Sequence, residues 1–246
     1  MSASPPPLSA RNLGIHAGKR NLVDELSFSL NAGECVAVLG ANGSGKTLLL
    51  ETLAGLRRPA AGHVELAGRP LSALPRRQVA QTLALLLQER GPAMPERVDE
   101  SVLSGRYAHV PPLRRETDTD RRHATAAMVA MAVADLGARD MTSLSGGERQ
   151  RVSLARVVAQ DTPIYLLDEP DNHLDLGHQR AVLDLFRTKA AAGAAVMASL
   201  HDINLAAGFA DRFLLLFGDG DWVLGDAATT LTREQLQRLT GVALTA

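Results

Sequence analysis

The sequence predicts an α/β fold: a mainly parallel sheet, an N-terminal antiparallel β region ahead of it, and an inserted helical subdomain. Three observations predict it. Short apolar runs at 35–39, 84–87, 164–167 and 195–200 have the length of buried strands, and segments with helical signals separate them. Strands that alternate with helices imply a parallel sheet. Leu26, Phe28 and Leu30 instead alternate with polar residues, as a half-buried antiparallel strand does.

Size and composition set the limits. A chain of 246 residues with 46% hydrophobic content buries a full core, so a single domain over 1–246 is expected, with the helical subdomain at about 89–160 inside it. The net charge of −1 and the scattered arginine pairs give no basic face for nucleic acid. One cysteine excludes an intrachain disulfide framework and fits a reducing cytosol; Cys35 reads as a small buried hydrophobe. No apolar run approaches the roughly 18 residues of a membrane span. Met1–Pro7, with three prolines and no signal pattern, reads as a flexible leader.

In chain order, 8–30 forms the antiparallel region, and Asn31-Ala32-Gly33-Glu34 turns into the strand ending at Leu39. A helix follows over 47–54, stopped by Gly55. Val64 and Leu66 mark a short strand, 71–81 a helix, and 84–87 a strand ending at Gln88. Prolines then break the chain until Thr117-Asp118-Thr119-Asp120, a capping-box start, opens a helix expected to run to Gly137. Ala124, Met128 and Met131 recur there at helical spacing and read as core. Ser145 and Glu148 form a second capping box, Gly193 ends a helix begun near Asp175, and Gly218-Asp219-Gly220-Asp221 signals a hairpin. Thr232 caps a last helix stopped by Gly241.

The chemistry centres on Gly40-Ala41-Asn42-Gly43-Ser44-Gly45-Lys46-Thr47. It matches the phosphate-binding-loop pattern at every fixed position, with a strand before it and a helix after it. Glycines let the backbone wrap a phosphate and turn N–H groups inward, and the helix dipole points at the same anion. Lys46 can reach β- and γ-phosphates, and the Thr47 hydroxyl can hold Mg²⁺. Ligands of a parallel sheet bind at the carboxyl ends of its strands. Four buried strands end at Gly40, Gln88, Asp168–Glu169 and His201, so these ends should surround one nucleotide. Asp168 suits Mg²⁺, Glu169 can accept a proton from attacking water, Gln88 can orient water or touch the metal, and His201 can hydrogen-bond a γ-phosphate. Gly146 and Gly147 cost about 1 kcal/mol each in a first helical turn. They make sense where a backbone or an anion approaches closely, which makes the helix start at Ser145 a second candidate phosphate site.

The loop at 40–47, Gln88, Leu144-Ser145-Gly146-Gly147-Glu148, 164–169, 172–175 and His201 occur in the order found in the nucleotide-binding subunits of ABC transporters, which the chain resembles over nearly its whole length. The resemblance implies a P-loop ATPase core using ATP and Mg²⁺ in a homodimer. Each ATP then lies between the phosphate loop of one subunit and Ser145, Gly146 and Gly147 of the other, with Asp175 also at the nucleotide. The segments 105–109, 174–179 and 200–206 are similar to importer subunits for iron–siderophore, haem or cobalamin. Implied partners are transmembrane permease subunits and, indirectly, an external substrate-binding protein; the implied place is the cytoplasmic face of the cell membrane. A soluble ABC ATPase, as in iron–sulfur cluster assembly, shares the same nucleotide site. His16 occupies the position of the adenine-stacking aromatic, and Asp171 follows the carboxylates where Ser or Thr is common. Arg106 and Tyr107 are expected on an exposed permease-docking surface.

Overall fold

The computed structural model describes residues 7–87 and 95–240. Residues 1–6 of the expected leader, the segment 88–94 with Gln88, and the expected stop at Gly241 lie outside the described residues.

The antiparallel region forms as its alternation requires. Strands β1 (Leu8–Ala17), β2 (Arg20–Leu30), β4 (Ala61–Leu66) and β5 (Arg69–Pro70) make one sheet in the order β2-β1-β4-β5. The second sheet holds β3 (Cys35–Gly40), β6 (Leu83–Leu86), β7 (Ile164–Asp168), β8 (Ala195–Ser199), β9 (Arg212–Leu216) and β10 (Trp222–Gly225). Its order is β10-β9-β3-β8-β7-β6, parallel throughout except for the β9–β10 hairpin. Strands β3, β7 and β8 are apolar on both faces because both faces are covered. On β3, Val36 and Val38 pack toward the antiparallel sheet and helix α1 (Lys46–Leu53), whereas Cys35, Ala37 and Leu39 pack into a second core.

That second core receives helices α3 (Val98–Ser104), α4 (Asp118–Ala130) and α5 (Gly146–Gln160), with α6 (Leu176–Ala191) and α7 (Ile203–Phe209). The stripe Ala124, Met128 and Met131 is buried there. Helices α8 (Ala227–Thr230) and α9 (Arg233–Thr240) close the described chain, α9 opening with a Gln235 N–H bond to the Thr232 hydroxyl.

Two helices differ from expectation for local reasons. The segment 71–81 is a 3₁₀ turn, Leu71–Ala73, followed by α2 (Arg76–Thr82), because Pro75 holds the preceding Leu74 extended at φ −95°, ψ 140°. Helix α4 ends at Ala130 instead of running to Gly137. Ala132 turns left-handed at φ 51°, and Val133 N–H bonds the Met128 carbonyl, a Schellman closure that sends Val133 into the core. Both capping boxes form: Thr117 with Asp120 on α4, and Ser145 with Glu148 on α5.

Candidate nucleotide site

The phosphate loop leaves β3 at Gly40 and enters α1 at Lys46. Gly43 and Gly45 have φ of 79° and 108°, values open to glycine at little cost. A Cβ on Gly40 would lie 2.7 Å from the Leu216 carbonyl and overlap the Ser44 hydroxyl. Lys46 is buried, and its ammonium donates to the carbonyls of Gly40 (2.7 Å) and Ala41 (3.4 Å). Burial pulls its pKa below the ordinary lysine value, with Glu169 and Asp168 pulling the other way. The Ser44 hydroxyl oxygen is buried without a hydrogen-bond partner among the described residues, a polar atom suited to an oxyanion at the loop.

Strand order puts the chemistry together. Strands β3, β8, β7 and β6 are adjacent, so Gly40, Asp168 and His201 gather at one sheet edge. The Thr47 hydroxyl donates to Asp168 Oδ2 at 2.7 Å, and the Ser199 hydroxyl donates to Asp168 Oδ1 at 2.7 Å. A hydroxyl and a carboxylate converging beside a phosphate loop are hard oxygen donors and fit a Mg²⁺ ion.

Glu169 stands just past β7 with φ at 49°, an uncommon conformation for a residue with a side chain. Hydrogen bonds lock it on both sides. Its N–H donates to the Ser199 hydroxyl at 2.8 Å, and its carbonyl accepts from Gln150 Nε2 at 3.1 Å. Its carboxylate accepts from His201 Nε2 at 2.6 Å and from Asn172 Nδ2 at 3.3 Å. Carboxylate and imidazole are therefore paired, with the carboxylate close enough to act on the Lys46 ammonium. Asp171 is buried with Oδ1 lacking a partner among the described residues, and burial pushes its carboxyl above the usual range, toward the neutral form.

The remaining predicted residues lie around this centre or apart from it. His16 is exposed at the end of β1, opposite Asn21. Asp175 is exposed, caps α6 by accepting from His178 N–H at 2.9 Å, and accepts from His178 Nδ1 at 2.8 Å; these bonds hold its carboxyl below the usual range. Ser145, Gly146 and Gly147 start α5. A Cβ on Gly147 would lie 2.9 Å from the His173 carbonyl, so close packing within the chain already requires that glycine; Gly146 meets only ordinary contacts. Tyr107 is exposed, but Arg106, expected on the surface, is 7% exposed. Arg106 pairs with Asp120 at 3.1 Å and donates to the carbonyls of Ala159 and Gln160 at 2.9 and 3.2 Å, because its guanidinium satisfies the C-terminal end of α5.

Sequence reasoning missed Ser199, and it gave Asn172 no role beyond membership of the matching stretch 172–175. Ser199 is the polar end of an otherwise apolar strand, in register with Asp168, and that position was its only local signal.

Residues 23–172 match the family model described as ABC transporter. The chain belongs to the ABC transporter family. It is 44% identical to the hemin import ATP-binding protein of Gloeobacter violaceus, covering 94% of this chain and 86% of that protein. It is 35% identical to the probable siderophore transport system ATP-binding protein of Bacillus subtilis, covering 94% and 85%. Among solved structures, a metal-chelate type ABC transporter in an inward-facing conformation superposes with a TM-score of 0.82 at 32% identity, covering 96% of this chain and 89% of that one. This ABC chain is an ATP-binding domain with ATPase chemistry, and none of its described helices is long and apolar enough to cross a membrane.

Proposed function

We propose that this chain is the ATP-hydrolysing subunit of an importer for a metal chelate of the hemin, iron–siderophore or cobalamin kind, working as a homodimer on the cytoplasmic face of the membrane against permease subunits. The permease would in turn receive cargo from an external binding protein. The observation that carries the reading is the joined constellation Thr47–Asp168–Ser199–Glu169–His201 at the mouth of the phosphate loop. The metal-chelate neighbour and the two relatives support the cargo class.

The residues divide the work by charge and reach. Lys46 would exchange its two loop carbonyls for β- and γ-phosphate oxygens. Thr47 and Asp168, with Gln88, would hold Mg²⁺, which supplies charge neutralisation on the phosphates. Glu169 would take the proton of the attacking water, held in place by its locked backbone. His201, already donating to Glu169, would turn to a γ-phosphate oxygen when one is present. The loop glycines and the N–H groups from Asn42 to Thr47 would cradle the phosphates, and His16 would lie against adenine. Ser145, Gly146 and Gly147 of the second copy, with Asp175, would complete each site.

Glu169→Gln tests this reading. The variant keeps shape but loses the proton acceptor, so hydrolysis should fall by about 10²–10⁴ while ATP binding survives. Size-exclusion chromatography should then give a dimer with ATP and a monomer with ADP. A monomer with ATP despite lost hydrolysis would overturn the shared site, and retained hydrolysis would overturn Glu169 as the base.

A further inference from the structure

One face of α5 is fastened to the loop after the carboxylates. Gly147, Gln150 and Arg151 stand at i, i+3 and i+4 and so lie on the same side of the helix. Each meets the segment 169–178. Gly147 packs its backbone on the His173 carbonyl. Gln150 Nε2 donates to the carbonyls of Glu169 and Pro170 at 3.1 and 3.2 Å. Arg151 Nη1 donates to His178 Nε2 at 2.7 Å. A guanidinium only donates, so His178 Nε2 is the acceptor, and the ring proton sits on Nδ1. That Nδ1–H donates to Asp175 Oδ2 at 2.8 Å. The imidazole is thus a two-ended connector between the helix that begins at Ser145 and the loop that carries Glu169 and Asp175.

We infer that Arg151 and His178, together with Gln150, are positioning residues that make the Ser145–Gly147 helix start and the Glu169–Asp175 loop one rigid body. The inference rests on the shared-site reading for its consequence. In that reading the helix start faces the partner's nucleotide, while Glu169 serves the subunit's own. A stiff link between them carries the state of one ATP to the other, so both sites close together. Removing the imidazole leaves Arg151 without its acceptor and Asp175 without its side-chain donor, and the two half-sites should then close less cooperatively.

The link is read in the Glu169→Gln background by titrating ATP against dimer formation. Adding His178→Ala should raise the ATP concentration for half-maximal dimer about tenfold, the scale of one charge-assisted bond. Positive cooperativity in ATP should be lost. His178→Gln, whose amide oxygen can still accept from Arg151, should recover most of the affinity. Binding of a fluorescent ATP analogue to the monomeric chain should not change. An unchanged dimer titration overturns the inference, and so does an equal loss in the monomer's own affinity. Arg151→Met, which keeps much of the side-chain length and removes the donor, should reproduce the loss if His178→Ala folds poorly. Hydrogen exchange reads the link without any dimer. Amides at 171–175 should exchange faster in His178→Ala, by about tenfold for a comparable loss of local stability; unchanged exchange overturns the link even where the shared site fails.

Discussion

At the scale of single residues, charge and burial decide the outcomes. Lys46 is buried on its own loop carbonyls, and its replacement leaves the β/γ charge without a cation. Lys46→Ala should abolish hydrolysis and weaken nucleotide binding strongly; equilibrium binding and phosphate release measure the two, and near-normal turnover would remove the basis of the reading. Arg106 carries the opposite lesson. The segment 105–109 suggested a surface arginine for docking, but this one neutralises Asp120 inside the fold. Charge reversal at Arg106 should cost about 3 kcal/mol or more of stability, because it leaves Asp120 unpaired and beside a like charge. The Asp120 carboxyl is held down to about 2, first by the Thr117 hydroxyl, then by the Thr117 backbone N–H and after it by Arg106. Its folded value lies below its unfolded one. Its stabilisation is therefore complete above the ordinary carboxylate range and drains away as pH falls through about 4 toward 2. The stability difference between wild type and Asp120→Asn, measured by urea melts, should shrink over that window; a difference independent of pH would contradict it.

At the scale of elements, the phosphate loop depends on two adjoining strands. Gly40 ends β3 with no room for a Cβ between Ser44 and the Leu216 carbonyl of β9. Gly40→Ala should push the loop away from β9 and cost more than tenfold in ATP affinity, with little change in the far-ultraviolet circular dichroism of the folded chain. An affinity within twofold of wild type would mean the loop relaxes freely. Elements were legible where their signals were local. The capping boxes at Thr117 and Ser145, the hairpin glycines, and the buried runs of β3, β7 and β8 all formed where the sequence put them. Boundaries set by packing were not legible. Helix α4 stops at Ala130 because Val133 is drawn into the core, a contact no helical repeat records.

At the scale of the whole molecule, the two cores on either side of the parallel sheet hold the antiparallel region and the helical region at fixed places around one site. If the chain serves a permease, it should sediment with membranes when the permease is co-expressed and remain in the soluble fraction when it is not. Fractionation that ignores the permease would favour a soluble ABC ATPase. What the sequence determined by itself was the α/β order, the phosphate loop and the capping-box helix starts at Thr117 and Ser145, because those rest on residue type and spacing over short stretches, and the ABC family, because several such short motifs follow one another in a set order along the chain. Only the tertiary structure decided that Arg106 is buried, that Ser199 braces both Asp168 and Glu169, and that α5 grips the loop at 169–178 through Gln150, Arg151 and Gly147. Each of these contacts joins residues 14 or more positions apart, from different elements, and no local pattern encodes which distant group will arrive to satisfy a buried donor or acceptor.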